Sequence, residues 1–280
     1  MKKILVTGAS GNIGKPLVQA LRSQGADFEL MRSKADQGSA ACVASFADVA
    51  SLRNAFGGID TLFVLLPLVP NKLELAKNVA QAARDAGVKH IVRSSGAGAD
   101  RQAAYALPRL QGEIDHVFQA TGIATTFLRP AGFMQNYSGF MASMVKAGTV
   151  YAATADALQS LIDVRDIAAV AAKVLGNPQA HVGKAYTLTG GESLTDSQRV
   201  KILSETLGRP VNFVGVSLEA GNASMATMGM PASIVEWLGS LNALVSAGHA
   251  GAISPEVQEL LGRQPITFRQ FAQDSKGAWL

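Results

Sequence analysis

A doubly wound α/β fold, a parallel sheet carrying a smaller C-terminal lobe, is what this 280-residue sequence predicts. Three observations lead to it. Apolar β-forming runs alternate with amphipathic helical stretches through the first half, which implies a parallel sheet covered on both faces. The first run, Ile4 to Val6, meets three glycines spaced by two residues each, Gly8, Gly11 and Gly14, before a helical pattern begins. Beyond Tyr137 the alternation loosens, so the later residues read as a lobe woven onto the sheet.

The first unit sets the pattern. Ile13, Leu17, Val18 and Leu21 recur at helical spacing, and Gly25 follows as a C-terminal stop. Pro16 is compatible with that helix, because its missing N–H falls in the first turn. A second strand follows at Phe28 to Met31, so strand, helix and strand fit in roughly 30 residues, the size of a βαβ unit. Ala41 to Val43 is a short third strand, Val49 to Phe56 a helix, and Thr61 to Leu66 an apolar fourth strand stopped by Pro67. Lys72 to Ala86 is a helix closed by Gly87, and Val88 to Arg93 is a fifth strand. The helix Pro108 to Thr121 ends at Gly122, and Thr125 to Leu128 makes a sixth strand.

In the second half, Leu161 to Val174 contains a strand-like start and an apolar helix led by Asp163 and Asp166, read as helix-start caps rather than an acid pair. Ser193 to Leu207 is a helix begun by Thr195 or Ser193, and Val211 to Val216 alternates like an edge strand. Met225 to Ala252, rich in Gly, Ala, Ser and Met, reads as short helices with flexible joints. The expected division is a nucleotide-binding domain at 1–150, with a returning segment near 151–190, and a smaller substrate lobe at 191–280.

The glycine turn carries the first functional expectation. Gly8 lets the chain leave the strand sharply, Gly11 lets backbone approach a diphosphate, and Gly14 lets the helix pack close. The N–H groups and positive dipole at the helix start favour the phosphates. Thr7, Gly8, Ser10, Gly11, Asn12, Ile13 and Gly14 are therefore cofactor candidates. An Asp or Glu at the end of the second strand would accept from the adenosine ribose and repel a 2′-phosphate. Here Arg32 and Lys34 flank Ser33, with no carboxylate until Asp36, which suits NADP(H). Ligands sit at the carboxyl ends of such strands, which makes Ser45 and Phe46 candidate adenine contacts and lays Leu65, Leu66 and Pro67 along the ribose and nicotinamide. The ends of the fifth and sixth strands add Ser94, Ser95, Gly132 and Phe133.

Composition narrows the classes. Hydrophobic residues make up 48 % and charged residues 16 %, as in a globular chain. The net charge of +4 comes from scattered residues without a run of like charge, so no nucleic-acid partner is expected. Leu62 to Val69, the longest apolar run, contains Pro67 and falls far short of the roughly 20 residues that span a bilayer. No signal peptide precedes the first strand, and a cytoplasmic protein without a membrane partner is expected. Cys42 is the only cysteine, which excludes an intrachain disulfide. His90, His116, His181 and His249 lie far apart, so no metal site is expected.

Six stretches carry a resemblance: TGASGNIG at 7–14, SLRNAFGGID at 51–60, VKHIVRSSGAGAD at 88–100, RLQGEIDHVFQATGI at 109–123, LRPAGFMQN at 128–136 and DVRDIAAVA at 163–171. With them the chain resembles, over nearly its whole length, the atypical short-chain dehydrogenase/reductases of the NmrA-like group. The resemblance implies a Rossmann domain with a small substrate lobe, and NADP binding. Members are either reductases of quinones and of azo or triarylmethane dyes, or redox-sensing regulators without turnover.

Many members of the wider superfamily use Tyr-x-x-x-Lys on the helix after the fifth strand, where the lysine lowers the tyrosine pKa so that it can protonate a reduced carbonyl. Here Tyr105, Tyr137, Tyr151 and Tyr186 all lack a lysine four residues on. Tyr105 is followed by Arg109 with Pro108 between, and Gln111 stands where some relatives carry lysine. Tyr105, Arg109 and Gln111 are the catalytic candidates, and no proton donor of the usual type is apparent. An ordinary ketone would then be a slow substrate. A quinone, an azo bond or a triarylmethyl cation takes hydride into a delocalised system, so positioning can supply most of the catalysis. Gly96, Met134, Asn136, Tyr137 and Trp237 are candidate contacts for such a small aromatic substrate. The expectation is an NADPH-dependent reductase, monomeric or homodimeric. The alternative is a non-catalytic NADP(H)-sensing regulatory protein of the NmrA type.

Overall fold

The computed structural model describes residues 3–33 and 42–280. Ile4, Leu5 and Val6 are buried on both faces and form β1 (Ile4–Val6). The chain crosses the sheet through α1 (Gly14–Ser23), which buries the stripe Leu17, Val18 and Leu21 and returns to β2 (Phe28–Arg32), parallel to β1. β3 (Cys42–Val43) adds to β2. α2 (Val49–Phe56) starts where the Asp48 carboxylate accepts from the N–H groups of Ala50 and Ser51, at 2.9 and 3.3 Å. β4 (Thr61–Val64), α3 (Lys72–Asp85), β5 (His90–Ser94), α4 (Ala106–Gln119) and β6 (Ala124–Pro130) continue the alternation.

After β6 come α5 (Ala142–Ala147), β7 (Thr149–Ala152), α6 (Val164–Gly176), β8 (Ala185–Leu188), α7 (Asp196–Leu207) and β9 (Asn212–Gly215). The chain closes with α8 (Leu218–Thr227), α9 (Ala232–Ser246), α10 (Glu256–Leu261) and α11 (Phe268–Asp274).

The main sheet runs β3-β2-β1-β4-β5-β6-β8, the Rossmann order extended by one strand. From β1 the chain builds outward to β3, then returns to β4 and builds the other way. That reversal opens a crevice at the carboxyl ends of β1 and β4, where ligands of such sheets bind.

Several boundaries differ from the sequence expectation for local reasons. β4 stops at Val64 because the Leu65 N–H leaves the ladder to donate to Thr7 Oγ1 at 2.9 Å. α4 starts at Ala106, which still leaves Pro108 in a first turn where its missing N–H is not needed. Asp163 precedes α6 and accepts from the Arg165 N–H at 2.8 Å, a cap as expected. Asp166 is a correction: it lies in the first turn of α6, and its carboxylate accepts from the Ile266 N–H and pairs with Arg263, each at 2.7 Å, rather than capping the helix. Thr195 forms a full capping box with Gln198 and starts α7. Residues 225–252 form mainly one long helix, α9, rather than short pieces. β9 pairs with β7 in a separate two-stranded parallel sheet.

Two compact units divide the chain: residues 1–103, 108–129 and 167–187 in one, and 104–107, 130–166 and 188–280 in the other. The first holds the main sheet. The second has its own aromatic core, in which Tyr137 meets Phe268 edge-on at 5.2 Å and Phe271 meets Trp279 at 6.0 Å. Trp279 Nε1 donates to the Tyr137 carbonyl at 2.8 Å. One carboxylate organises this core. Asp196 accepts from the Tyr137 hydroxyl and the Thr154 hydroxyl, each at 2.5 Å, and pairs with buried Arg199 at 2.8 Å. Asp196→Ala, which strands the Arg199 charge in the core, is expected to cost on the order of 3–5 kcal/mol in urea denaturation. Tyr137→Phe removes one of several bonds to Asp196 and should cost only about 1 kcal/mol.

Candidate active site

The turn between β1 and α1 is built by close approach. A Cβ on Gly14 would stand 2.1 Å from the Gly8 carbonyl oxygen and 2.6 Å from Ala9 Cα, so only glycine lets the helix rest on the turn. Gly8 has a φ of +66°, and a Cβ there would press on Leu65 at 3.0 Å. Gly11 is exposed, and a Cβ on it would meet only the Gly8 oxygen, at 3.3 Å. The first turn of α1 has neither a side-chain cap nor an acidic residue. Lys15 and Leu17 give their N–H groups to the Gly11 and Ile13 carbonyls and Pro16 has none, so what this start offers an anion is chiefly its uncapped positive dipole end, which fits a diphosphate.

Other residues of the cofactor list occupy distinct places. Thr7 and Ile13 are corrections at the level of side chains. Thr7 is buried and its hydroxyl is committed to the β1–β4 link, donating to the Phe63 carbonyl at 3.0 Å and accepting from Leu65. Ile13 points into the core, so only its backbone remains for a ligand. Ser10 and Asn12 are exposed on the turn. Arg32 ends β2 half-buried beside Val43, Ser33 follows exposed, and Lys34 lies outside the described residues. Ser45 is exposed and caps the approach to α2, its hydroxyl accepting from the Ala47 N–H at 3.2 Å. The Phe46 carbonyl accepts from Asn78 Nδ2 at 3.0 Å. Leu65 is half-buried, Leu66 buried and Pro67 exposed. Ser94 and Ser95 are buried at the carboxyl end of β5. The Ser95 N–H donates to the Leu128 carbonyl at 2.7 Å, while its hydroxyl has no partner among the described residues. An orphaned buried hydroxyl at that edge is a second feature that fits a ligand.

The catalytic candidates separate. Gln111 is buried and its Oε1 accepts from Arg93 Nη2 at 2.5 Å. Gly96 lies against it, a Cβ there coming within 3.3 Å of Gln111 Cγ. Arg109 donates to the Ala103 carbonyl at 3.0 Å. Tyr105 belongs to the second unit, its ring 6.1 Å from that of His249.

What the sequence reading missed is the charge around Gln111. Arg93, which follows the apolar pair Ile91 and Val92 in β5, is 1 % exposed and pairs with Asp115 of α4. Asp115 also accepts from Arg129 Nη2 at 3.0 Å and Nε at 3.2 Å. Lys72, the first residue of α3, is also buried, and burial together with the Arg93 charge pushes its pKa down to about 8. The available signal was the arginine within the run His90–Ser94, a charge where a buried parallel strand has none to spare.

Within the second unit, Gly132 gives its carbonyl to the Ile162 N–H at 2.9 Å and would crowd Leu161 at 2.7 Å if it carried a Cβ. Phe133 is half-buried and bridges Ile162, Asn136 is exposed, and Trp237 is half-buried on α9. Met134 and Tyr137 are corrections: each is 2 % exposed and belongs to the aromatic core, so neither presents a surface to a substrate. Burial and then the Asp196 charge push the Tyr137 phenol well above its ordinary pKa, which makes it a poor acid. Of the other tyrosines, Tyr151 is exposed and Tyr186 bonds His181 Nδ1 at 2.8 Å.

Residues 1–270 match the pattern that defines the NmrA-like family. The chain belongs to that family. It is 34 % identical over 283 residues to an NAD(P)H azoreductase of Xenophilus azovorans, with 99 % of each chain covered. Two solved structures of relatives superpose closely. One is an NADPH-dependent quinone oxidoreductase of Escherichia coli complexed with NADPH, 25 % identical, TM-score 0.86, covering 97 % of this chain and 99 % of that one. The other is a Citrobacter sp. triphenylmethane reductase complexed with NADP(H), 26 % identical, TM-score 0.83, covering 99 % of each.

The glycines of this NmrA-like chain are expected to separate by role. Gly14→Ala should destabilise the fold by about 3 kcal/mol in denaturant melts, since backbone must move to admit the Cβ. Gly11→Ala should leave the melt within about 1 kcal/mol of wild type but weaken NADPH binding roughly tenfold in fluorescence titrations.

Proposed function

We propose that this chain is an NADPH-dependent reductase of electron-poor aromatic acceptors, of the quinone, azo-dye or triarylmethane-dye type. The observation that carries the reading is the uncapped, acid-free start of α1 on its glycine turn, beside a second strand that ends in Arg32. An anion-receptive helix start takes the diphosphate. A cation at the β2 end selects the 2′-phosphate, which a carboxylate would repel. The azoreductase, quinone oxidoreductase and triphenylmethane reductase relatives support the same class of reaction.

Bound NADPH supplies the hydride. The chain's share is to bind, orient and exclude water. The β1–α1 turn holds the diphosphate through backbone N–H groups, the Ser95 hydroxyl offers an unsatisfied polar contact at the edge of β5, and Leu65 and Leu66 give the loop after β4 an apolar surface. No tyrosine is paired with a lysine in the manner of the wider superfamily, and Tyr137, the tyrosine of the aromatic stretch after β6, is fixed on Asp196. The chemistry therefore favours acceptors that delocalise the incoming electrons. Among the described residues no helix is long and apolar enough to cross a membrane.

An acceptor screen following NADPH absorbance tests the reading. Consumption of NADPH with at least one quinone, azo or triarylmethane acceptor is expected. Tight binding of both redox forms with no turnover on any acceptor would favour the sensing alternative. Arg32→Ala should weaken NADPH binding by about tenfold or more while leaving NADH binding nearly unchanged, and an equal loss for both would remove the 2′-phosphate assignment.

A further inference from the structure

Hydride arriving at a quinone or an azo bond leaves an anion on oxygen or nitrogen, which then needs a proton. Hydride arriving at a triarylmethyl cation leaves a neutral carbon centre that needs none. The tyrosines do not offer the first class of acceptor a proton in the usual way, so the chain must hold another donor or rely on water.

Lys72 meets the description. It opens α3, directly after the loop that leaves the carboxyl end of β4, the edge at which ligands of this fold bind. Its side chain is 7 % exposed, yet no carboxylate pairs with it among the described residues. Lysines this buried are ordinarily paired. Asp115, the carboxylate paired with Arg93, is bonded to Arg129 as well. The charge acting on Lys72 is a like one, Arg93, and the positive end of its own helix adds to it. A lysine kept only for packing would gain nothing from this surrounding, where methionine would fill the space without the charge.

We propose that Lys72 is the proton donor of the reductase, giving a proton from Nζ to the acceptor heteroatom that becomes negative when hydride arrives. The proposal rests on the reductase reading above. In the balanced step the acceptor's π bond gains two electrons and a hydrogen nucleus by hydride transfer, with NADPH oxidised to NADP+. The resulting oxygen or nitrogen anion takes a proton as an Nζ–H bond breaks, and the neutral amine recovers its proton from water.

The charged groups around Lys72 are few. β5 presents Arg93, with Asp115 of α4 and Arg129 of β6 behind it. On α3 itself Glu74 and Lys77 are exposed, and α2, packed on α3, turns Arg53 and its cap Asp48 to solvent. Burial and Arg93 bring the ammonium to a pKa of about 8, so it is still charged at neutral pH and gives up its proton far more readily than a surface lysine.

The test compares two acceptors in the full-length protein and its K72M and K72R variants. In wild type, quinone reduction should be level below pH about 8 and fall tenfold per unit above it, whereas reduction of a triarylmethyl-cation dye should lack that limb. K72M should lose roughly 100-fold on the quinone together with the limb, while NADPH binding by fluorescence and dye reduction stay within about twofold. K72R keeps the charge but holds its proton, and should remain slow on the quinone. Without any turnover, NMR of ε-13C-labelled lysines should show one resonance, absent from K72M, titrating near 8. Equal losses on both acceptors, full quinone activity in K72R, or a Lys72 titration at the ordinary lysine value would each overturn the assignment. If wild type reduces neither acceptor, it is the reductase reading that falls, and this assignment with it.

Discussion

α1 comes so close to the turn before it that a Cβ on Gly14 would stand 2.1 Å from the Gly8 oxygen. Much of the first unit depends on that contact. With the helix resting on the turn, its uncapped, acid-free start is fixed to the loop that leaves β1. The same turn sets Gly8 against Leu65, and Thr7, one residue earlier, bonds both the Phe63 carbonyl and the Leu65 N–H. The loop leaving β4 is thereby fixed to the loop leaving β1, and α3, with Lys72 at its head, starts from that fixed point.

Both units solve the problem of buried charge in the same way, with one carboxylate gathering several partners. Asp196 in the second unit collects two hydroxyls and Arg199, and the account balances within the core. Asp115 in the first unit collects Arg93 and Arg129, while Lys72, on which the Arg93 charge acts, has no carboxylate among the described residues. Buried ion pairs are weak evidence of stability, since apolar residues of similar volume often serve as well. The balanced cluster reads as a packing device. The unbalanced one holds the lysine proposed above as proton donor.

The order of strands and helices as far as β6 was legible, because burial on both faces of a parallel sheet demands continuous apolar runs such as Thr61–Val64, and glycines stop the helices between them, whereas β8, the seventh strand of the main sheet, was not read from the sequence. The glycine turn was legible for the same kind of reason. The acceptor residues were harder. Met134 and Tyr137 looked like lining because aromatic and sulfur side chains suit a flat ligand, yet the same apolarity suits a core, and Phe268, Phe271 and Trp279 arrive from the far end of the chain to claim them. Asp166 looked like a cap from its place near a helix start, and was claimed by Ile266 and Arg263 instead.

By itself the sequence determined what depends on neighbours along the chain: the βαβ alternation, the glycine turn, the basic end of β2 and the lack of a Tyr-x-x-x-Lys pair. Periodicity, backbone freedom and motif spacing are local properties, and they survive reading in one dimension. The tertiary structure alone decided that Tyr137 is a core residue, that Arg93 bonds both Gln111 and Asp115, and that Lys72 is buried with no carboxylate beside it among the described residues. Those facts turn on which distant side chains share a dielectric environment, and a charge is costly or useful only once its neighbours and its solvent are fixed.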